Sequence, residues 1–387
     1  MGIERIKTQR GWGAIGASDK ASYVGTPKGH SFEQFDSHRW RCPSNSFRLH
    51  WMKEQASSQP NPGIIMEALG GYQVTLALKG AVELEIFSHI AMGASTAAEI
   101  ARRCNASERG VRILCDFLTV SGFLTKTEAT YHLTPESAVF LNKHSPAYLG
   151  SIALFLAHPH HMNHFQDVAA LVRKGGSIDA GNLSPDDPVW VEFARWMAPM
   201  MRMPAGALAA QVSQPGRSIK VLDIAAGHGV YGIAVAMQNP QAEIVAVDWE
   251  NVLEVAKANA VEAGLADRYR TIPGSAFDVD YGKGYDLALV TAFLHHFDPP
   301  TCVSLLRKVR ASMNPGGTLA ITELMPNEDR ISPPMEARFS FMMLGSTPAG
   351  DAYTRKEVEQ MCTEAGFRNC TVQGLGNVPI KAVLARN

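Results

Sequence analysis

The sequence predicts an α/β protein: a doubly wound, mostly parallel sheet in the C-terminal half, preceded by an all-helical domain with a winged-helix motif. Three observations predict it. Residues 221–229 read VLDIAAGHG, an apolar strand ending in an acid and passing through a small-residue turn into a helix. A second strand-like run, EIVAVD, ends in Asp248, and apolar strands then alternate with helical segments to the C-terminus, as parallel strands joined by crossover helices require. Upstream, from Ile64, the apolar residues carry helical spacing instead.

In chain order, residues 1–60 hold scattered Gly, Ser, His and Arg with no sustained period and read as a disordered extension. Met52 opens the polar run MKEQASSQPNPG and is an alternative translation start. Glu4, Asp19, Glu33 and Asp36 interrupt the basic residues, which disfavours a targeting peptide. Residues 61–150 form the winged-helix, dimerisation domain. Its first segment, IIMEALGGYQVTLALKGAVELEIF, is too densely apolar for a solvated helix. Thr96-x-x-Glu99 is a capping box, Ser107 caps the helix VRILCDFLTVSGF, residues 126–134 read as a hairpin wing, and Thr134-Pro135 opens another helix. A DNA-reading helix needs a basic face, whereas Arg109, Arg112, Asp116 and Thr119 offer two cations against one anion, so packing is preferred to nucleic-acid binding. Residues 64–94 and 136–157 are more apolar than a monomer could bury, which predicts a homodimer.

Residues 151–213 are helical and rich in methionine, and Gln214-Pro-Gly-Arg217 breaks into the last domain, 214–387. There the expected strands are 221–224, 244–247, 269–272, 287–291, 318–322, 371–376 and 380–385, with helices at 230–238, 251–263, 299–313 and 354–365. Asp298-Pro-Pro and the capping box Thr354-x-x-Glu357 start the last two helices.

Composition excludes several classes. At 387 residues with 46% apolar and 19% charged residues, the chain reads as soluble and globular. A net charge of −1 gives no general attraction to nucleic acid or anionic membrane. No apolar run approaches the ~20 residues of a membrane helix. The six cysteines form no C-x-x-C pair, which reads as reduced thiols in a cytoplasmic protein.

The turn after the first strand is a nucleotide site, and Asp223 discriminates between ligands. A dinucleotide would lay its pyrophosphate over the turn, where this carboxylate repels it, and Ala225 and Ala226 replace the first glycines of G-x-G-x-x-G. A ligand bearing an ammonium and a sulfonium would be attracted. The residues therefore point to S-adenosylmethionine (SAM), with Asp223, Ala225, Gly227 and Gly229 at the turn and Asp248 at the ribose. His295 and His296 follow the fourth strand, and Glu323 ends the next, so all lie at the ligand edge of the sheet. A histidine there can deprotonate a hydroxyl or thiol as it attacks a methyl group, with the carboxylate orienting the imidazole. His158, His160, His161 and His164 include a metal-like spacing, but only Asp167 lies nearby, and they read as a polar face rather than a metal site.

From about Ile64 onward the chain resembles the SAM-dependent small-molecule O-methyltransferases of the plant caffeate and flavonoid type and the bacterial polyketide-tailoring type. That resemblance implies a winged-helix dimerisation domain joined to a class I, Rossmann-like methyltransferase domain, with SAM as cofactor, a small-molecule acceptor, and no metal. LHHFDPPTC resembles the family's L-H-D-W-x-D-x-x-C, which places His295 on the catalytic base and Glu323 on one of two acids bracketing it. Ser275, Ala276, Phe277 and Thr291 fall at the adenine end, and Phe193, Met197 and Met343 in the acceptor pocket. The chain departs from the pattern at Ser275, where relatives carry Asp, at Thr291, where some carry Lys, and at Ala352, in place of the second bracketing Glu. Methyl transfer to a hydroxyl is the leading reading. Transfer to a thiol or thioether, and a SAM-binding regulator without transferase activity, are the alternatives.

Overall fold

The computed structural model describes residues 60–178 and 189–387, so the expected extension and Met52 lie outside the described residues apart from Pro60. Helices α1 (Gly63–Glu83), α2 (Ile86–Ala91), α3 (Ala97–Cys104) and α4 (Glu108–Val120) come first. The Thr96–Glu99 capping box is present, and the Ser107 side chain accepts from the Gly110 amide. Strands β1 (Leu124–Thr127) and β2 (Thr130–Leu133) pair antiparallel as the wing, ahead of α5 (Pro135–Phe140), so this domain is not purely helical. The hairpin starts earlier than expected because Leu124 is drawn into the core with Tyr131, Leu118, Ile100 and Phe87.

Asp116 decides the character of α4. It accepts from Arg112 (2.8 Å), Lys126 (2.5 Å) and the Tyr131 hydroxyl (2.7 Å), a surface cluster that neutralises two cations within the domain. The α1 helix instead leaves Ile64, Ile65, Met66, Leu69, Tyr72 and Leu76 exposed, a contiguous apolar stripe.

Four helices follow: α6 (Ser151–Leu156), α7 (Pro159–Asn163), α8 (Val168–Lys174) and the long α9 (Val189–Val212). The α/β half then runs β3 (Ile219–Ile224), α10 (Val230–Gln238), β4 (Ala242–Asp248), α11 (Glu250–Glu262), β5 (Tyr269–Pro273), β6 (Tyr285–Thr291), α12 (Pro299–Ser312), β7 (Met313–Leu324), α13 (Pro334–Ser346), α14 (Arg355–Glu364), β8 (Arg368–Gly374) and β9 (Ile380–Arg386). The seven strands lie in the order β5-β4-β3-β6-β7-β9-β8. Pairing is parallel from β5 to β7, and β9 and β8 join antiparallel. Val221, Leu289 and Ala320 pack into one apolar layer, and Leu222, Val290 and Ile321 into another, as the alternation along a strand requires. All seven expected strands are present, each within a few residues of its expected ends except β7, which reaches back through Asn314-Pro-Gly-Gly. Helix α13 was not expected; its start, Pro333-Pro334, lies in a stretch with little amphipathic period.

The chain leaves β3 in one direction and β6 in the other, so the order reverses between these neighbours. The register Ile224↔Val290 ends both strands at one level, which opens a crevice at their C-terminal ends. Gly229 opens α10 at this crevice with φ 71°, and a Cβ there would lie 2.5 Å from the Tyr269 hydroxyl and 3.0 Å from Ala256. Gly229→Ala is expected to lose more than about 2 kcal/mol from left-handed strain and overlap. An unchanged urea midpoint would show that the turn accommodates a side chain.

Candidate active site at the sheet switch point

The turn after β3 is held open by backbone geometry. Ala225 has φ 52° and Gly227 φ 56°, and Ala292, just past β6, has φ 50°. Left-handed alanines are strained, and two of them at the ends of adjacent strands mark a functional edge. Asp248 spans the gap: its Oδ2 accepts from the Gly227 amide and its Oδ1 from the Trp249 amide, each at 2.7 Å. Asp223 is fully buried beneath the turn, where its Oδ2 accepts from the Gly232 amide at 3.1 Å and its Oδ1 has no partner. Burial is the main cause that raises both carboxyls, Asp223 to about 7 and Asp248 to about 6, against the backbone donors that oppose it. Two buried acids with one orphaned oxygen suit a cationic ligand, as SAM demands. Asp223 could act on it by charge from below the turn, and Asp248 by contact.

The loop after β5 carries the remaining cofactor candidates. Ala276 is buried, and the Ser275 hydroxyl accepts from the Phe277 amide at 3.1 Å, so this serine shapes its own loop. Thr291 is buried at the end of β6. The sequence reading missed Lys308. From α12 its ammonium donates to the carbonyls of Ala276 (3.1 Å) and Phe277 (2.6 Å) and lies 4.6 Å over the Tyr281 ring. Tyr281 donates to the same Ala276 carbonyl. Nothing in the sequence distinguishes Lys308 from a solvated helical lysine.

His295 sits on a single 3₁₀ turn, Leu294–His296, directly after β6. Its Nδ1 lies 2.5 Å from Glu323 Oε2, and both side chains are buried. The other Glu323 oxygen accepts from the amides of Phe293 (3.1 Å) and Leu294 (2.9 Å). The carboxylate thus fixes both the ring and the turn that carries it. With Nδ1–H donating to Glu323, the tautomer leaves a lone pair on Nε2. Cys302 Sγ donates to the carbonyls of Leu294 (3.2 Å) and Phe297 (3.7 Å), which fastens the turn to α12. Ala352 is buried and contributes no acid, while Asp351 is drawn off to Arg330 at 2.8 Å. In place of a second acid, Gly350 packs so tightly that a Cβ there would lie 2.1 Å from the His295 carbonyl.

Aromatic rings continue from the base. The Phe339 ring meets His295 edge-on at 4.8 Å, His296 lies 4.4 Å from His295, and Trp190 meets His296 at 5.5 Å. Phe193 lies 5.9 Å from Trp190, and Met197 is buried one turn further along α9. Met343 is buried on α13, the helix that also supplies Phe339. Burial, reinforced by neighbouring His295, holds His296 well below the ordinary histidine range, so this ring stays neutral. Its Nδ1 and the Trp190 indole nitrogen are both buried without a partner. The rings of His160, on α7, and His164, its C-cap, meet edge-on at 4.7 Å, and Asp167 is spent capping α8. Among the described residues no cluster of three or more His, Cys, Asp or Glu could hold a metal.

A doubly wound sheet with acids ending its first two strands and a carboxylate-paired histidine beyond the fourth defines a class I methyltransferase. Residues 185–368 match the O-methyltransferase domain, and residues 66–143 match the O-methyltransferase dimerisation domain. A Nostoc punctiforme crystal structure, provisionally described as an O-methyltransferase, is 47% identical with a TM-score of 0.82, covering 85% of this chain and 100% of that one. The 3-hydroxy-5-methyl-1-naphthoate 3-O-methyltransferase of Streptomyces sahachiroi is 26% identical over 79% of this chain and 89% of its own length. Human N-acetylserotonin methyltransferase, solved with SAM, shares the fold with a TM-score of 0.74 at 22% identity, over 86% of this chain and 99% of that one. The chain belongs to the O-methyltransferase family and is a SAM-dependent enzyme acting on small molecules. No helix among the described residues is long and apolar enough to cross a membrane.

The two raised carboxyls set a pH dependence. Both titrate above their ordinary value of 3.8, so the folded protein binds more protons than the unfolded chain across that window. The stability they contribute is present at low pH and lost as pH rises through 6 to 7. A cationic ligand pulls both values back down, so SAM binding should release protons. Its Kd is expected to be roughly tenfold weaker at pH 5 than at pH 8. Calorimetry in buffers of different ionisation enthalpy measures both effects; a flat Kd with no proton release would count against a role for these acids.

Proposed function

We propose that the enzyme methylates a hydroxyl on a flat aromatic acceptor, with His295 as general base and Glu323 orienting it. The observation that carries this is the Nδ1–Glu323 contact at 2.5 Å, in a buried pair whose carboxylate also grips the turn. When bound, SAM supplies an electrophilic methyl group. Asp223, Asp248 and the loops at 225–229 and 275–277 are the residues that would hold it. His295 Nε2 takes the hydroxyl proton as the oxygen becomes nucleophilic, and Glu323 stabilises the resulting imidazolium. His296 remains neutral beside it, so the pair carries one positive charge against one carboxylate. Phe339, Trp190, Phe193, Met197 and Met343 supply apolar walls that orient a planar ring and keep water from the oxygen. The naphthoate chemistry named for the Streptomyces relative is consistent with such an acceptor.

His295→Ala should lower kcat with a phenolic acceptor by about 10²–10⁴, with SAM affinity unchanged and partial recovery at high pH where bulk phenolate forms. Glu323→Gln should cost less in rate, since the imidazole keeps a partner but loses its counter-charge. Full activity of His295→Ala toward a hydroxyl at neutral pH would refute the assignment. Activity restricted to thioethers and indifferent to His295 would favour sulfur methylation instead.

We also propose a homodimer through the dimerisation domain, with the α1 stripe at its interface. Light scattering is expected to give twice 42.0 kDa, falling to the monomer mass in an Ile65→Glu, Leu69→Glu double variant. A wild type that runs as a monomer at micromolar concentration would exclude this.

A further inference from the structure

Glu336 is only 5% exposed, and among the described residues no hydrogen bond or ion pair reaches its carboxylate. It belongs to the first turn of α13, where the helix dipole eases a negative charge but does not supply a donor. The little surface this side chain keeps includes its carboxylate oxygens, which no group among the described residues takes up.

Its place in the fold shows what it is for. Glu336, Phe339 and Met343 succeed one another at spacings of three and four and so share one face of α13, and Thr347 follows as its C-cap. Each of the other three is tied to the site. Phe339 lies edge-on to the His295 ring at 4.8 Å. Met343 is buried and sits on a position that the family resemblance places in the acceptor pocket. The Thr347 hydroxyl accepts from the Gly350 amide at 2.9 Å, and Gly350 abuts the His295 carbonyl. The opposite face is fixed independently, since Phe341 stacks on Phe165 at 5.2 Å and a Cβ on Gly345 would lie 2.7 Å from that same ring. Packing on both faces locks the rotation of the helix, so Glu336 is held on the side of the base.

We propose that Glu336 is an acceptor-recognising carboxylate, which receives a hydrogen bond from a second donor group, a hydroxyl or an ammonium, on an acceptor methylated elsewhere. The proposal rests on the aromatic-acceptor reading above and extends it to substrate class: a bifunctional ring rather than a simple phenol. A site built to accept a donor discriminates against analogues lacking it, because they displace water from the carboxylate without replacing its hydrogen bond. The orphaned Trp190 nitrogen and His296 Nδ1 fit the same picture of a polar-substituted ring in an otherwise aromatic pocket.

The test compares wild type, Glu336→Met and Glu336→Gln on dihydroxynaphthalene isomers, the matching aminonaphthols and the plain naphthols. Wild type should favour its best donor-bearing compound over the plain naphthol by roughly tenfold or more in kcat/KM. Glu336→Met should reduce that preference below about threefold through KM, leaving turnover of plain naphthol and SAM affinity unchanged. Glu336→Gln separates the two donors, keeping much of a hydroxyl preference and losing an ammonium preference. Because the carboxylate is unpaired in the fold, neither variant should melt below wild type. An undiminished preference in Glu336→Met would overturn the proposal, as would a melting loss of several degrees with all acceptors falling together. If wild type methylates no naphthol, the hydroxyl-transfer reading fails, and equilibrium binding of the same compounds with S-adenosylhomocysteine present decides Glu336. Donor-dependent binding lost in Glu336→Met supports it; binding that is absent or blind to the donor overturns it.

Discussion

The site depends on one carboxylate. Glu323 is placed by β7 and accepts three hydrogen bonds, from the amides of Phe293 and Leu294 and the Nδ1 of His295. The penultimate residue of β7 and the turn that follows β6 are therefore joined by a charged group rather than by ladder bonds. That arrangement converts the register Thr291↔Thr322 into a fixed position for an imidazole. Charge-assisted bonds of this kind are worth roughly 1.5–3 kcal/mol each, enough to hold a three-residue turn that could not persist alone. The Cys302 thiol secures the turn from the opposite side, and burial pushes that thiol up to about 12, so it stays protonated and donates.

The cofactor side works by the opposite logic. Glu323 is satisfied by the protein, whereas Asp223 keeps an unpaired oxygen and is raised to about 7. An unsatisfied buried acid lowers stability in the empty protein and gains from any cation brought near it. The strained alanines at 225 and 292 belong to the same pattern. Cost is stored at the strand ends where a ligand can relieve it, and the sheet behind them, apolar on both faces, tolerates it.

The parts of this molecule legible in the sequence were those written in local chemistry. The capping residues Thr96, Ser107, Thr134, Asp298 and Thr354 all cap the helices they announced, because a side-chain oxygen before a helix has one use. Asp223, Asp248, His295 and Glu323 could be placed at one edge because each ends or follows a strand, and a parallel sheet brings such ends together. What could not be read is what depends on distant partners. Lys308 looks like a solvated lysine until the loop of Ala276 and Phe277 folds onto it. Helix α13 lacks a polar stripe because its exposed face carries Met335 and Phe341 as well as Arg338, so the contrast between buried and exposed faces is not written in its residues. Ser275 lies at the adenine end by its place in the sequence, but its hydroxyl also has a backbone amide to satisfy within its own turn.

The surroundings of the base also differ from the motif the chain resembles, and in a consistent direction. His296 stands where the motif has an acid, and Ala352 where a second acid would bracket the imidazole. Both changes remove negative charge from around His295. With burial and His295 itself holding His296 neutral, no neighbouring acid remains on that turn to share the proton. The imidazolium formed during transfer is then balanced by Glu323 alone, at a single well-defined nitrogen, with the rings of Phe339 and neutral His296 beside it. Concentrating the counter-charge on the far side of the ring keeps the near side apolar, which suits an aromatic acceptor and leaves recognition of its polar substituents to groups outside the base itself.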